Sequence, residues 1–149
     1  MNEFRFLKWD VYRNTKKVVK EIFGITGSLA PGFKFNLGDQ LNRSVISIAL
    51  NTAEGSGKGS DHELARFFDI AIGSTHETIA ALDLTRDNKL ISDKEFQGLT
   101  ELAGKLTGFF SVDFGKISYN PQGDCKGLPE SAWAIGAGFK PAPTHRDGT

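Results

Sequence analysis

The chain has 149 residues, 39% of them hydrophobic and 24% charged, with 18 Lys and Arg balanced by 18 Asp and Glu. That leaves room for one compact domain and a tail, and the hydrophobic content is too high for a disordered chain. Zero net charge writes no bulk attraction to nucleic acid or membrane into the total, the apolar runs fall far short of the roughly 20 residues that span a bilayer, and a charged N-terminus with a single Cys gives neither a secretory signal nor a disulfide framework. A cytoplasmic protein is expected.

Up to residue 112 the apolar residues recur at intervals of three and four, the helical period, and almost nothing alternates as a strand would. The spacing predicts a first helix from about Phe6 to Thr26, with Leu7, Val11, Val18, Ile22 and Ile25 on one stripe and Trp9, Tyr12, Val19 and Phe23 on its neighbour. Gly27, Pro31 and Gly32 end it. A second helix is expected from near Asn36 to about Gly55, with Asn36 and Asp39 as an N-cap pair. Ser60 and Glu63 form an S-x-x-E capping box that opens a third helix to about Asn88. The same box at Ser92 and Glu95 opens a fourth, with its stripe at Phe96, Leu99, Ala103, Leu106 and Phe110. Short connections favour antiparallel neighbours, so the expected fold is all-α: an antiparallel up-down-up-down four-helix bundle over residues 1–112. Four of the five prolines and six of the 17 glycines lie beyond it, in residues 113–149. That segment is expected to be an irregular, largely disordered tail, in which Trp133, Ile135 and Phe139 are available to a partner.

The second helix is apolar on two sides. Leu41, Val45, Ile48 and Thr52 make the bundle stripe, and Ile46, Leu50 and Ala53 make another about 100° or more away. One core does not cover both, so Ile46, Leu50 and Ala53 are the candidate contacts between copies of the chain; the alternative is cover from the third helix and the tail. On the third helix His62, Asp69, His76 and Asp83 recur every seven residues. Neighbours in that series are about 10.5 Å apart, too far to share a metal ion, and the series reads as a solvated face.

Catalytic motifs are missing. Glu54-Gly55-Ser56-Gly57-Lys58-Gly59-Ser60 departs from a nucleotide-binding loop, because Gly59 separates Lys58 from Ser60 and a helix precedes it. Its glycines suit a tight turn at positive φ, and Lys58 with the amides opening the third helix offers weak anion binding. Cys125 lies in the tail, and the acidic residues near helix starts answer the helix dipole. We expect no enzyme, cofactor or metal. Charge is nevertheless polarised: residues 1–26 carry +3 and residues 60–91 carry −3. Arg13, Lys16, Lys17 and Lys20 cluster on one side of the first helix, a solvated face and also the smallest footprint that grips a phosphate backbone.

The string from Gln40 to Leu90 resembles the 23S ribosomal RNA intervening-sequence proteins, a family of four-helix bundles. Its pattern is met at Gln40, Arg43, Ser47, Ile48, Asn51, Ala53, Glu54, Gly55, Gly57, Ser60, Glu63, Phe67, Ile70, Ala71, Gly73 and Ser74. Lys8-Trp9, the Ile22–Thr26 segment and GKLTGFF in the fourth helix extend the likeness to residues 4–112. Asn42 replaces the first of two arginines, Ala49 a proline and Lys58 an arginine; losing the proline should leave the second helix straighter. The resemblance implies a homopentameric ring. It also implies a setting in ribosomal RNA insertions, or a role as an accessory variability determinant of diversity-generating retroelements, which binds a reverse transcriptase and structured RNA through a basic surface. The expected function is a non-enzymatic homo-oligomeric scaffold contacting RNA or an RNA-bound protein, with Arg13, Lys16, Lys17, Lys20, Arg43 and Lys58 as RNA-binding candidates. A protein-protein adaptor that uses the acidic third helix is the alternative. The tail lies outside the resemblance, and its GAGFKPAPT core resembles peptides translated from interspersed repeats.

Overall fold

A computed structural model describes residues 4–112. The expectations for residues 113–149 lie outside the described residues. Among the described residues four long helices, and no strand, surround one core: α1 (Asp10–Ser28), α2 (Asp39–Ser56), α3 (Asp61–Asp87) and α4 (Asp93–Val112). Their principal contacts run α1 to α2, α2 to α3, α3 to α4 and α4 back to α1, a closed cycle.

The chain enters through a 3-10 turn, Arg5–Lys8, that stops at Trp9 in extended conformation. The first helix is therefore interrupted where continuous periodicity was expected, and it runs two residues further, to Ser28. The break puts Leu7 out of register and leaves it half exposed. It also turns the Trp9 indole inward against Phe68, with centroids 6.1 Å apart, and Phe68 meets Phe110 at 5.1 Å. This aromatic chain, edge-to-face at Trp9–Phe68 and tilted at Phe68–Phe110, ties the start of α1 to α3 and α4. On the other α1 stripe Phe23 remains exposed.

The second helix starts differently from the expectation. Pro31, preset for the first helical position, opens a helical turn, Pro31–Phe33, and a five-residue π-helical segment, Lys34–Gly38, leads without a break into α2. Asn36 therefore caps nothing: its side chain accepts from the Leu37 amide and donates to the Gly32 carbonyl. Gly38 precedes α2 in helical conformation with no side-chain cap. From Asp39 to Ser56 the helix is uninterrupted, with Ala49 in its middle.

The α4 capping box forms in full, and the α3 box forms only its first half. Ser60 Oγ accepts from the Glu63 amide at 3.3 Å, and at α4 Ser92 and Glu95 exchange bonds in both directions, the Ser92 amide donating to Glu95 Oε2 at 2.8 Å and the Glu95 amide to Ser92 Oγ at 3.2 Å. The α4 stripe is buried at Leu99, Ala103, Leu106 and Phe110, with Phe96 packed at its margin. The α2 bundle stripe of Leu41, Val45, Ile48 and Thr52 is wholly buried.

Between α2 and α3 the core is polar. Ser47 bonds Ser74 at 2.8 Å, Thr78 donates to Ser44 at 2.8 Å, and Gln40 bonds Glu77. Small side chains allow a close approach, and buried hydroxyls such as those of Thr52, Thr75 and Thr85 donate to carbonyls four residues back, which leaves them satisfied without a partner helix. At the end of this seam a Cβ on Gly55 would stand 3.0 Å from the Phe67 Cβ and 3.1 Å from Leu64. The glycines of the Gly55–Gly59 turn do not take the positive φ expected of them. Gly55 is needed for interhelical closeness, and the turn closes through right-handed backbone at Gly57.

Candidate nucleic-acid interface

On α1 the buried residues Val11, Thr15, Val18 and Ile22 recur at three and four. At 100° per residue, Arg13, Lys16, Lys17 and Lys20 fall within an arc of about 100° on the opposite side. All four are exposed. Local contacts hold three of them. Arg13 bridges Asp10 at 3.3 Å and donates to the Lys8 carbonyl at 2.8 Å. The Lys16 ammonium lies 5.6 Å from the Tyr12 ring centroid, and Lys17 donates to Asn14 at 3.1 Å. Lys20 extends the row by one turn. These contacts are solvent-exposed and easily exchanged, so the charges remain available to phosphates.

The other two cations sit on other elements. Arg43, near the start of α2, is exposed and donates to Gln40 at 3.3 Å. Lys58, in the turn before α3, is half buried: its ammonium pairs with Glu54 at 3.1 Å and lies 4.7 Å from the Phe67 centroid. It is thereby the most committed of the six to local structure.

Opposite charge gathers on α3. His62, Asp69 and His76 are exposed on its outer face, and Asp83 lies at the margin. Arg86 bridges Asp83 at 2.6 Å and Asp87 at 3.1 Å, and its guanidinium lies 4.4 Å from the Phe96 ring centroid of α4. The hydrogen bond that Arg86 donates to Asp87, and then the charges of Asp83, Asp87 and Asp93, raise the Arg86 pKa against a lowering from desolvation. Among the described residues no three metal-ligating side chains gather around one point, and no helix is long and apolar enough to cross a membrane.

The second apolar side of α2 is open among the described residues: Leu50 is 62% exposed, Ile46 37%, and Ala53 is half buried. Two residues that periodicity had assigned to other roles or passed over join this surface. Phe23 of α1 and Ile70 of α3 are 46% and 41% exposed. The Thr26–Asn42 bond at 2.9 Å sets α1 beside α2 so that Phe23 is level with Ile46, and the Ser47–Ser74 bond brings Leu50 level with Ile70.

A further feature escaped the sequence altogether. The π-helical segment holds Phe35 at 81% exposure, above a depression of about 590 Å³ lined by Phe35, Asn36, Leu37, Asp39, Gln40 and Arg43. No residue pattern encodes a π segment, and the neighbouring Pro and Gly read equally well as a loop.

No curated protein matches the sequence. The family model for the 23S rRNA-intervening sequence protein matches residues 8–109. That span takes in α1, the π-helical segment, α2, α3 and most of α4, and the chain accordingly belongs to the 23S rRNA-intervening sequence protein family.

Proposed function

We propose that this protein is a non-enzymatic, cytoplasmic scaffold whose helices form an antiparallel up-down-up-down bundle, whose copies associate into a pentamer, and which contacts structured RNA or an RNA-bound protein such as a reverse transcriptase. The observation that carries the reading is the cationic arc of Arg13, Lys16, Lys17 and Lys20, exposed on the side of α1 away from the core. Family membership supports a ribosomal RNA setting. The exposed apolar side of α2 supports assembly, which would repeat the arc around the particle and multiply its hold on a polyanion. Arg43 and Lys58 add contacts at other points of the surface.

Four phosphates neutralised per protomer give a slope of log affinity against log salt of roughly −3 for single-stranded RNA. Replacing Lys16, Lys17 and Lys20 by Glu should abolish RNA binding measured by fluorescence anisotropy. A salt-independent association, or unchanged binding by the triple variant, overturns the reading. The acidic outer face of α3 favours a second reading, a protein-protein adaptor that leaves nucleic acid alone. That adaptor would keep its partner through the triple substitution.

A further inference from the structure

Phe35 is the most exposed large hydrophobic side chain among the described residues, at 81%. An aromatic ring in that position loses hydration free energy at all times and is held there by the backbone: the π-helical segment Lys34–Gly38 joins the Pro31–Phe33 turn to α2 and carries Phe35 on its outer side. Around the ring the depression brings together three kinds of chemistry. Arg43 supplies a guanidinium, fixed by its bond to Gln40 Oε1, while the Gln40 amide is itself engaged with Glu77. Asp39 supplies a carboxylate acceptor on the same wall. Lys34, the neighbour of Phe35 in sequence, is exposed and stands outside the lining of the depression. Asn36 bonds the Gly32 carbonyl and the Leu37 amide, which orients its side chain at the edge of the depression.

An exposed aromatic face with one flanking cation and one carboxylate suits a single nucleotide: the ring stacks on a base, the cation meets a phosphate, and the carboxylate accepts from an exocyclic amine. A depression of about 590 Å³ lies within the range of small-ligand sites. We propose that Phe35, with Asp39 and Arg43, forms a stacking site for an unpaired base of an RNA strand. This inference rests on the RNA contact proposed above and specifies its form: the protein favours single-stranded segments over continuous duplex at this point.

The full chain is titrated with a fluorescent single-stranded oligoribonucleotide and with a duplex of the same length. Stacking is worth about 1–3 kcal/mol per base, so Phe35→Ala should weaken single-strand binding by about 5- to 150-fold. It should leave duplex affinity and the salt slope unchanged, because no charge is removed. Phe35→Trp should retain affinity and show quenching of its indole on binding. Arg43→Ala should lower the magnitude of the salt slope by about 0.7. The exposure of Phe35 makes both replacements at this position neutral for folding, which thermal melting checks. Unchanged single-strand affinity in Phe35→Ala overturns the stacking site while the RNA reading stands. A wild-type chain that binds duplex alone does the same. A change in solution mass with Phe35→Ala assigns the ring to a contact between copies and also overturns it. A wild-type chain that binds neither RNA removes both readings together.

Discussion

Lys89 carries the only positive φ among the described non-glycine residues, at 57°. It follows Asn88, the C-cap of α3, and the amides of Lys89 and Leu90 return to the carbonyls of Arg86 and Thr85 at 2.8 and 3.1 Å. This is the 5→2 and 6→1 pairing that satisfies the last carbonyls of a helix, and glycine is its usual residue because a Cβ in the left-handed region costs about 1–2 kcal/mol. Lys89→Gly should therefore stabilise the domain. The gain is reduced by the extra freedom glycine gives the unfolded chain, about 0.4–1 kcal/mol, which leaves roughly 0.5–1 kcal/mol. Thermal melting should show a rise of a few degrees; a fall would mean that the lysine side chain contributes more than its backbone costs. The end of α3 near Asn88 was legible in the periodicity, but its mechanism was not, since lysine gives no stop signal. Gly55 shows the converse. A sequence reader sees a flexible turn residue, whereas the packing of Phe67 and Leu64 is what excludes a side chain there.

At the scale of elements, the helices that begin at a serine cap were read to within a residue, because the S-x-x-E pattern is a local code that tertiary packing does not override. The α4 box is the more complete. The Ser92 hydroxyl, and then its amide, donate to the Glu95 carboxylate and hold its pKa below the ordinary 4.5. A depressed folded value means that the contribution is full above the unfolded pKa and is lost as pH falls through the folded one. Ser92→Ala should move the Glu95 titration up toward its ordinary range, seen in the carboxyl chemical shift, and should cost about 1 kcal/mol at neutral pH. The stability gap between variant and wild type should narrow as the solution is acidified below the folded pKa. If Glu95 titrates identically in both proteins, the box is a geometric coincidence. Boundaries set by glycine and proline were harder to read. Residues 27–38 carry both, and the chain resolves them as a long α1, a proline-started turn and a π segment, none of which has a distinctive period. The polar seam between α2 and α3 was visible as Ser44, Ser47 and Asn51 in sequence, while the hydroxyls that answer them on α3 were hidden among ordinary helix residues.

For the whole molecule, the deciding quantity is how much apolar surface a single chain leaves in water. Phe23, Ile46, Leu50 and Ile70 are exposed on α1, α2 and α3, and the Thr26–Asn42 and Ser47–Ser74 bonds tie the neighbouring turns of these helices together, from which we infer one band. Scattered exposed apolar residues are normal on a monomer, but a contiguous band on one face marks a contact surface. The sequence disclosed the α2 part, through its second stripe, and missed Phe23 and Ile70, because which residues adjoin α2 is fixed only once three helices are packed. Leu50 is the most exposed of the four, so Leu50→Glu should change the stability of an isolated chain by no more than about 0.5 kcal/mol. In the proposed assembly the same change would bury a carboxylate with no partner, at a cost of several kcal/mol per contact. Light scattering should then show the wild type near 80 kDa, about five chains of 16.3 kDa, and the variant at the mass of one chain. Its RNA affinity should fall even though all four α1 cations remain, because an isolated arc loses the gain from repetition. A wild type that scatters as one chain would confine the basic arc to a single copy and leave the band to a different protein, whereas a variant that keeps the full mass would move the interface to another face of the bundle.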